Sequence, residues 1–284
     1  MTVGVVGLGL IGGSIGLALR EPGRTILGCD ASSEHERLAA ERFCVDRIEP
    51  LEEVAKAEIV FVAVPPASIA ETLDRIGAVR GEDTVVTDCA SVKEVAVTWA
   101  KRAKAKWFVP GHPMAGHEKS GPGFASAWMF KGARWILTPV ALTDKAAVRR
   151  VEAAVKLMGA VPVRLAPEVH DRHVAVLSHL PHVLAAALAP MASDLDAPEA
   201  AAGSWRDLTR VAASDPELWT QIVLGNRAAV VAATDDLIAR LSALREAVNE
   251  ENVENVKEAF RAAQAARMSE PEKVEPQKTV KARR

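Results

Sequence analysis

The chain contains no tyrosine, and aromatic residues make up only 4% of its 284 residues. The missing tyrosine has no firm physical account. The three cysteines, Cys29, Cys44 and Cys89, show no paired spacing. An odd, unpaired set argues against a disulfide framework and for a reducing compartment, so the cytoplasm is expected. An excess of one charge is also lacking, since the formal net charge is −2. That leaves no electrostatic reason to expect nucleic acid or an anionic membrane as a partner. The first residues run directly into a strand-like stretch, so no signal peptide is expected. No apolar run approaches the ~20 residues that span a bilayer. No internal repeat is visible. What remains is ordinary for a globular protein, 49% hydrophobic and 25% charged residues, with length enough for two cores.

The most informative stretch is the start, Thr2 to Ser14, TVGVVGLGLIGGS. β-Branched residues lead into a turn with Gly7, Gly9 and Gly12, then into an apolar stretch running to Leu19. This reads as strand, tight turn, helix. Gly7 permits the sharp turn, Gly9 lets a pyrophosphate approach bare backbone, and Gly12 lets helix and strand pack closely. The phosphates would sit on the free N–H groups at the helix start, around Leu10 and Ile11. A second strand, Thr25 to Cys29, ends in Asp30, 18 residues after Gly12. A carboxylate there accepts from ribose hydroxyls and repels a 2′-phosphate, so NAD is expected over NADP. The competing reading is a plain glycine turn with Asp30 as a loop or capping residue.

Strands and helices then alternate. Helix is expected over Ser32 to Phe43, strand over Asp46 to Glu49, and a fully buried strand over Ile59 to Val64 that stops at Pro65-Pro66. Helix Ala67 to Ile76, strand Thr84 to Cys89, helix Val92 to Lys104 and strand Trp107 to Pro110 follow. After a glycine-rich loop come strand Arg134 to Thr138, helix Asp144 to Met158 capped by Thr143, and strand Val161 to Leu165. The fold class is therefore α/β, with an N-terminal doubly wound, Rossmann-type domain over 1–166. Ligands in such a sheet bind beyond the carboxyl ends of the strands. Pro65-Pro66, Ser91 and His112 all follow strand ends and should line one crevice, with Val64 at its edge as a cofactor contact. From Pro167 the strands stop. Helices are expected over Val169 to Ala192, Pro198 to Ala213, Glu217 to Leu244 and Glu250 to Arg267, an all-helical domain over 167–268. Its apolar surface suggests burial against a second copy, a homodimer. The charged tail, 269–284, is expected to be disordered.

Three clusters could carry chemistry. In TDCASVK, Ser91 either faces a ligand or caps the next helix. In GHPMAG, His112 follows a strand between glycines, where it can take a proton near neutral pH or serve as a structural hydrogen-bonding residue. In the helical part, His179 and His182 of SHLPH share one face, with a kink expected at Pro181. A metal pair is disfavoured there, because no further ligand follows at a suitable spacing. Arg206 and Arg210 also share a face. They suit carboxylate binding, or in the case of Arg206 an ion pair with Asp207 or Glu199.

VGLGLIGGS, TDCASVK, GHPMAG, SHLPH and WRDLTRVAASDPELW occur in that order. Together the sequence resembles the prephenate/arogenate dehydrogenase family of tyrosine biosynthesis, over about Val3 to Met268. The resemblance implies an NAD(P)-binding domain, a dimerising helical domain and a small-molecule substrate. The reaction it implies is oxidative decarboxylation of prephenate with NAD, giving 4-hydroxyphenylpyruvate, carbon dioxide and NADH. Carried over, His112 is the catalytic base that accepts the C4 hydroxyl proton, and Ser91 hydrogen-bonds that hydroxyl. Arg210 binds a substrate carboxylate, and His179, His182 and Trp219 line the pocket. His117 borders the pocket at the end that distinguishes the ketone of prephenate from the ammonium of arogenate. Glu118, Arg206 and Asp207 form a charged rim. No metal is implied. The alternatives are arogenate dehydrogenase, a two-domain hydroxyacid or imine reductase, and an NAD-binding sensor without turnover. The SHLPH helix lacks the lysine that such reductases use. A sensor needs no base beside the nicotinamide.

Overall fold

A computed structural model describes residues 1–117, 119–192 and 201–269. The expected rim residue Glu118, the expected helix start at Pro198, the alternative Arg206 partner Glu199 and the tail, 270–284, lie outside the described residues. The chain forms two compact units, Met1–Arg227 and a second from Ala228 onward.

In the first unit, six parallel strands form one sheet: β1 (Thr2–Val6), β2 (Thr25–Cys29), β3 (Arg47–Ile48), β4 (Ile59–Val62), β5 (Val85–Asp88) and β6 (Phe108–Val109). Their order is β3-β2-β1-β4-β5-β6, the doubly wound order that reverses direction between β1 and β4. Val3, Val5, Phe61 and Val86 are fully buried, because a parallel sheet covered on both faces leaves no side of its central strands wet. Helices α1 (Leu10–Leu19), α2 (Ser33–Glu41), α3 (Leu51–Val54), α4 (Ile69–Val79) and α5 (Glu94–Ala103) connect them. Ser32 caps α2 by accepting from the His35 N–H at 3.3 Å.

The glycine turn has a steric explanation. Gly7 adopts φ +90°, and a β-carbon there would lie 2.6 Å from the Ala63 carbonyl oxygen. A β-carbon on Gly12 would lie 1.8 Å from the Gly7 carbonyl oxygen. Only glycine satisfies both.

The later strands depart from expectation. β7 (Gly111–Pro113), β8 (Arg134–Leu137) and β9 (Val161–Arg164) form a separate three-stranded sheet. β7 runs antiparallel to β8, pairing His112 with Ile136. His112 is thus in a strand, not in a loop after one. Helix α6 (Lys145–Leu157) is capped by Asp144, which accepts from the Ala146 N–H at 2.7 Å. The expected cap, Thr143, instead accepts from the Val140 N–H. A carboxylate next to the first free N–H groups outcompetes a hydroxyl one residue further out.

The helical part is more broken than its apolar pattern suggests. α7 (Pro167–Val174), a π turn over Ala175–His179 and α8 (Leu180–Leu188) replace one long helix. The π turn stands where a kink at Pro181 was expected: the wider i→i−5 winding precedes a proline that has no N–H to give. α9 (Gly203–Thr209) ends in a 3-10 turn over Arg210–Ala213. α10 (Pro216–Gly225) stops at Asn226, and α11 (Arg227–Asn249) begins a new helix. The second unit holds most of α11 and all of α12 (Val253–Ser269).

Contrary to the reading of the sequence, one helical stretch, Pro167–Ala192, is long and apolar enough to cross a membrane, although little of its apolar part is buried within the chain. Its charges cluster at the front, PEVHDRH, which masks the apolar run behind them. We expect Gly12→Ala to destabilise the first unit by about 1–3 kcal/mol through overpacking. Urea unfolding measures it, and an unchanged midpoint would show that the turn opens freely.

Candidate active site

The strand-end crevice begins at the glycine turn. Gly9, the extended residue before α1, provides no side-chain cap, so the first N–H groups and positive dipole end of the helix are unclaimed by a capping side chain. A β-carbon on Gly9 would meet nothing within 4 Å, in contrast to Gly7 and Gly12. The Gly7 site abuts the Val64 N–H, which brings the end of β4 and the adjoining Pro65 to the same turn. Asp30 binds the turn directly. Its carboxylate accepts from the Leu8 N–H at 2.6 Å and the Ser32 N–H at 2.8 Å. A carboxylate has capacity beyond two such bonds, so Asp30 can accept further donors. Its structural and ligand-binding readings coexist. Leu10 and Ile11 are half-buried at the mouth of this cradle.

At the end of β5 lies a buried ionic cluster that sequence reasoning missed. Lys93 and Asp88 are both fully buried and paired through Lys93 Nζ. The same ammonium donates to the Gly111 carbonyl. Asp88 accepts from the Gly111 N–H at 2.9 Å and from the Ala90 N–H at 3.0 Å. The end of β5 is thereby locked to the residue before His112. The sequence signal was a carboxylate and a lysine five residues apart in TDCASVK, flanking the serine that drew attention.

Ser91 does not cap the following helix. α5 begins at Glu94, and its cap comes from Asp171 on α7. One Asp171 oxygen accepts from the Lys93 N–H at 2.9 Å, the other from the Glu94 N–H at 3.1 Å. Ser91 sits half-buried in the bend before it.

Asp171 also leads, through His170, to His112. His170 Nδ1 lies 2.7 Å from Asp171 Oδ1, and His170 Nε2 lies 2.9 Å from His112 Nδ1. His170 is fully buried and His112 nearly so. A carboxylate that caps a helix accepts, so His170 Nδ1 carries a proton toward it. His170 Nε2 is then placed to accept from the Nδ1–H of His112. The Nε2 of His112 is then a bare lone pair, as a base requires. Burial, and then the nearby His170, Lys93 and His179, push the His112 pKa well below its usual value. The ring is neutral at physiological pH.

The remaining candidates gather on the helical side. His179 is fully buried, and the Trp219 ring lies 6.1 Å from it. His182 stacks on Trp219 at 3.3 Å and 17°. Its Nδ1 lies 3.0 Å from the Ser178 carbonyl, to which it donates. Burial lowers the His182 pKa, and the charge of Arg210 lowers it further, which places Arg210 by the same ring. Arg210 lies in the 3-10 turn after α9, so it shares no continuous α-helix with Arg206. His117 is exposed, and its Nδ1 accepts from the Lys119 N–H at 3.1 Å. Among the described residues, no His/Cys/Asp/Glu group is arranged to hold a metal ion.

A family model described as the nucleotide-binding domain of prephenate dehydrogenase matches residues 15–164. A second, described as its dimerization domain, matches residues 166–262. The chain belongs to the prephenate/arogenate dehydrogenase family. It is 36% identical to the prephenate dehydrogenase of Bacillus subtilis, over 92% of this chain and 74% of that one. It is 32% identical to the cyclohexadienyl dehydrogenase of Zymomonas mobilis, over 94% and 95% of the two chains. A crystal structure of the A. aeolicus prephenate dehydrogenase with hydroxyphenyl propionate and NAD+ superposes with TM-score 0.87 at 32% identity, covering 94% and 97%. Membership makes this chain an oxidoreductase.

Breaking a buried ion pair strands the other charge. We therefore expect Lys93→Met to cost about 3–5 kcal/mol, and Lys93→Met with Asp88→Leu to cost less than Lys93→Met alone. Chemical unfolding decides it, and a double variant as unstable as the single one would refute the pairing.

Proposed function

We propose that this protein catalyses the NAD-dependent oxidative decarboxylation of prephenate to 4-hydroxyphenylpyruvate. The observation that carries this reading is the buried, neutral His112, whose Nδ1 is held by His170 and whose Nε2 is left bare. The residues around the glycine turn fit the cofactor. Gly9 leaves open space, α1 offers uncapped N–H groups, and Asp30 retains acceptor capacity. Gly7, Gly9, Leu10, Ile11, Gly12, Asp30, Val64, Pro65 and Ser91 would hold it. When bound, NAD supplies the acceptor for the hydride that leaves C4.

The chain's own residues then have limited work. His112 Nε2 takes the proton of the C4 hydroxyl, and the Ser91 hydroxyl orients that group. Arg210 binds a substrate carboxylate as a bidentate clamp. His179, His182 and Trp219 shape the wall, and His117 borders the side-chain end. Loss of carbon dioxide aromatises the ring, so orientation and relief of one proton suffice. The domain division at about residue 166 belongs to this reading, supported by the two family models meeting there. So do the cytoplasmic setting and a homodimer that covers exposed apolar side chains such as Val176 and Leu177.

NADH formation, followed with prephenate and arogenate offered separately, tests the assignment. Turnover of arogenate alone would reverse the substrate. His112→Asn should lower kcat about 100-fold or more with little change in KM. Arg210→Gln should raise KM by about 2–4 kcal/mol of lost carboxylate binding. Because the proton-free ring is the active form and its pKa is lowered, the acid limb of kcat should lie below pH 6.5, the usual histidine value. A limb at or above that value would remove His112 as the base.

A further inference from the structure

His179 is fully buried on the helical side of the site. Its Nε2 is buried and has no hydrogen-bond partner among the described residues. Its Nδ1 lies 3.3 Å from Asn226 Nδ2. Asn226 is itself buried, at the break between α10 and α11. The same Nδ2 lies 2.7 Å from the Asp171 carbonyl oxygen.

Those distances determine which way the amide and the ring face. A backbone carbonyl only accepts, so the part of Asn226 that meets Asp171 must be the NH2 group. Its second hydrogen points at His179 Nδ1, which therefore accepts. The neutral ring then carries its proton on Nε2, the buried atom with no partner. A buried N–H without a partner costs stability comparable to a lost hydrogen bond, so its persistence points to a ligand oxygen that completes it.

We propose that Asn226 is a positioning residue that holds His179 as a neutral Nε2–H donor aimed at an oxygen of the substrate. This rests on the dehydrogenase reading above and adds the group that orients its substrate. Two buried histidines near one another are thereby set to opposite tasks. His112 keeps Nδ1–H and a bare Nε2, while His179 keeps a bare Nδ1 and Nε2–H. The titratable groups acting on His179 are Asp171 and His170 from α7, His182 from α8 and, across the site, His112 from β7. Burial outweighs them and lowers its pKa to about 4, so the neutral donor persists across the working range.

Two-bond 1H–15N correlation NMR on the full-length protein, with histidine labelled, reads the tautomer without any turnover. The His179 signal is assigned by its loss in His179→Gln. The expected spectrum shows Nε2–H, and an Nδ1–H signal would overturn the proposal. Asn226→Asp replaces the donor with an acceptor, so Nδ1 gains a proton and the ring titrates. Its KM for prephenate should then rise about 10-fold at pH 8, where Nε2 is bare, and much less at pH 6, where the imidazolium still donates. A KM raised by the same factor at every pH would mean a structural role only and would also overturn it. Should Asn226→Asp fail to fold, the spectrum of the unmodified protein and partial KM rescue by His179→Gln over His179→Leu decide. If neither prephenate nor arogenate is turned over, the functional reading falls while the tautomer measurement still stands or fails by itself.

Discussion

One carboxylate, that of Asp171, holds this site together. Its two oxygens take the first N–H groups of α5, where the helix dipole favours negative charge. One of those oxygens also takes the His170 ring, which in turn holds His112. Its backbone carbonyl takes Asn226, which holds His179. The helix after the serine bend, the proposed base and the proposed donor are thus referred to one residue. The mutual geometry of all three is therefore set by the one side chain and its backbone carbonyl.

The Lys93–Asp88 pair plays the complementary part on the sheet side. It is fully buried and touches Gly111 through both its ammonium and its carboxylate. Buried ion pairs add little net stability against an apolar alternative, because desolvation is costly. Here the pair specifies a connection. It ties the end of β5 to β7, two strands that belong to different sheets. His112 follows directly, so the proposed base is anchored from its own strand by the lysine and from the opposing helix by His170.

The parts of this arrangement that were legible in the sequence are those that depend on neighbours in the chain. The glycine turn and the succession of the first six strands along the chain follow from local sterics and apolar runs. Histidines in GHPMAG and SHLPH could be singled out because glycine and proline set them apart. His170, Asp171 and Asn226 could not. Their roles depend on partners 58, 78 and 47 positions away, and in the sequence each looks like an ordinary polar residue on a helix. The break at Asn226 was hidden for a related reason. The apolar content continues across it, and the side chain that ends α10 earns its place by a tertiary hydrogen bond, not by any capping pattern.

The electrostatics of the site follow from burial more than from charge. His112, His179 and His182 are all held below the usual histidine pKa, with desolvation the largest cause in each case. Neutral rings have consequences for an anionic substrate. They offer directed donors and acceptors without a strong attraction that would retain a departing carboxylate. The Lys93 ammonium is balanced by Asp88, and the exposed cation of the group is Arg210, beside His182. In the proposed reaction, Arg210 at the edge and neutral imidazoles at the centre would let binding energy come from one end of the substrate, leaving the reacting ring free to lose its carboxylate and become aromatic. Asp171 is what makes the neutral centre workable, since without a fixed acceptor the buried rings would have no reason to keep one tautomer over the other.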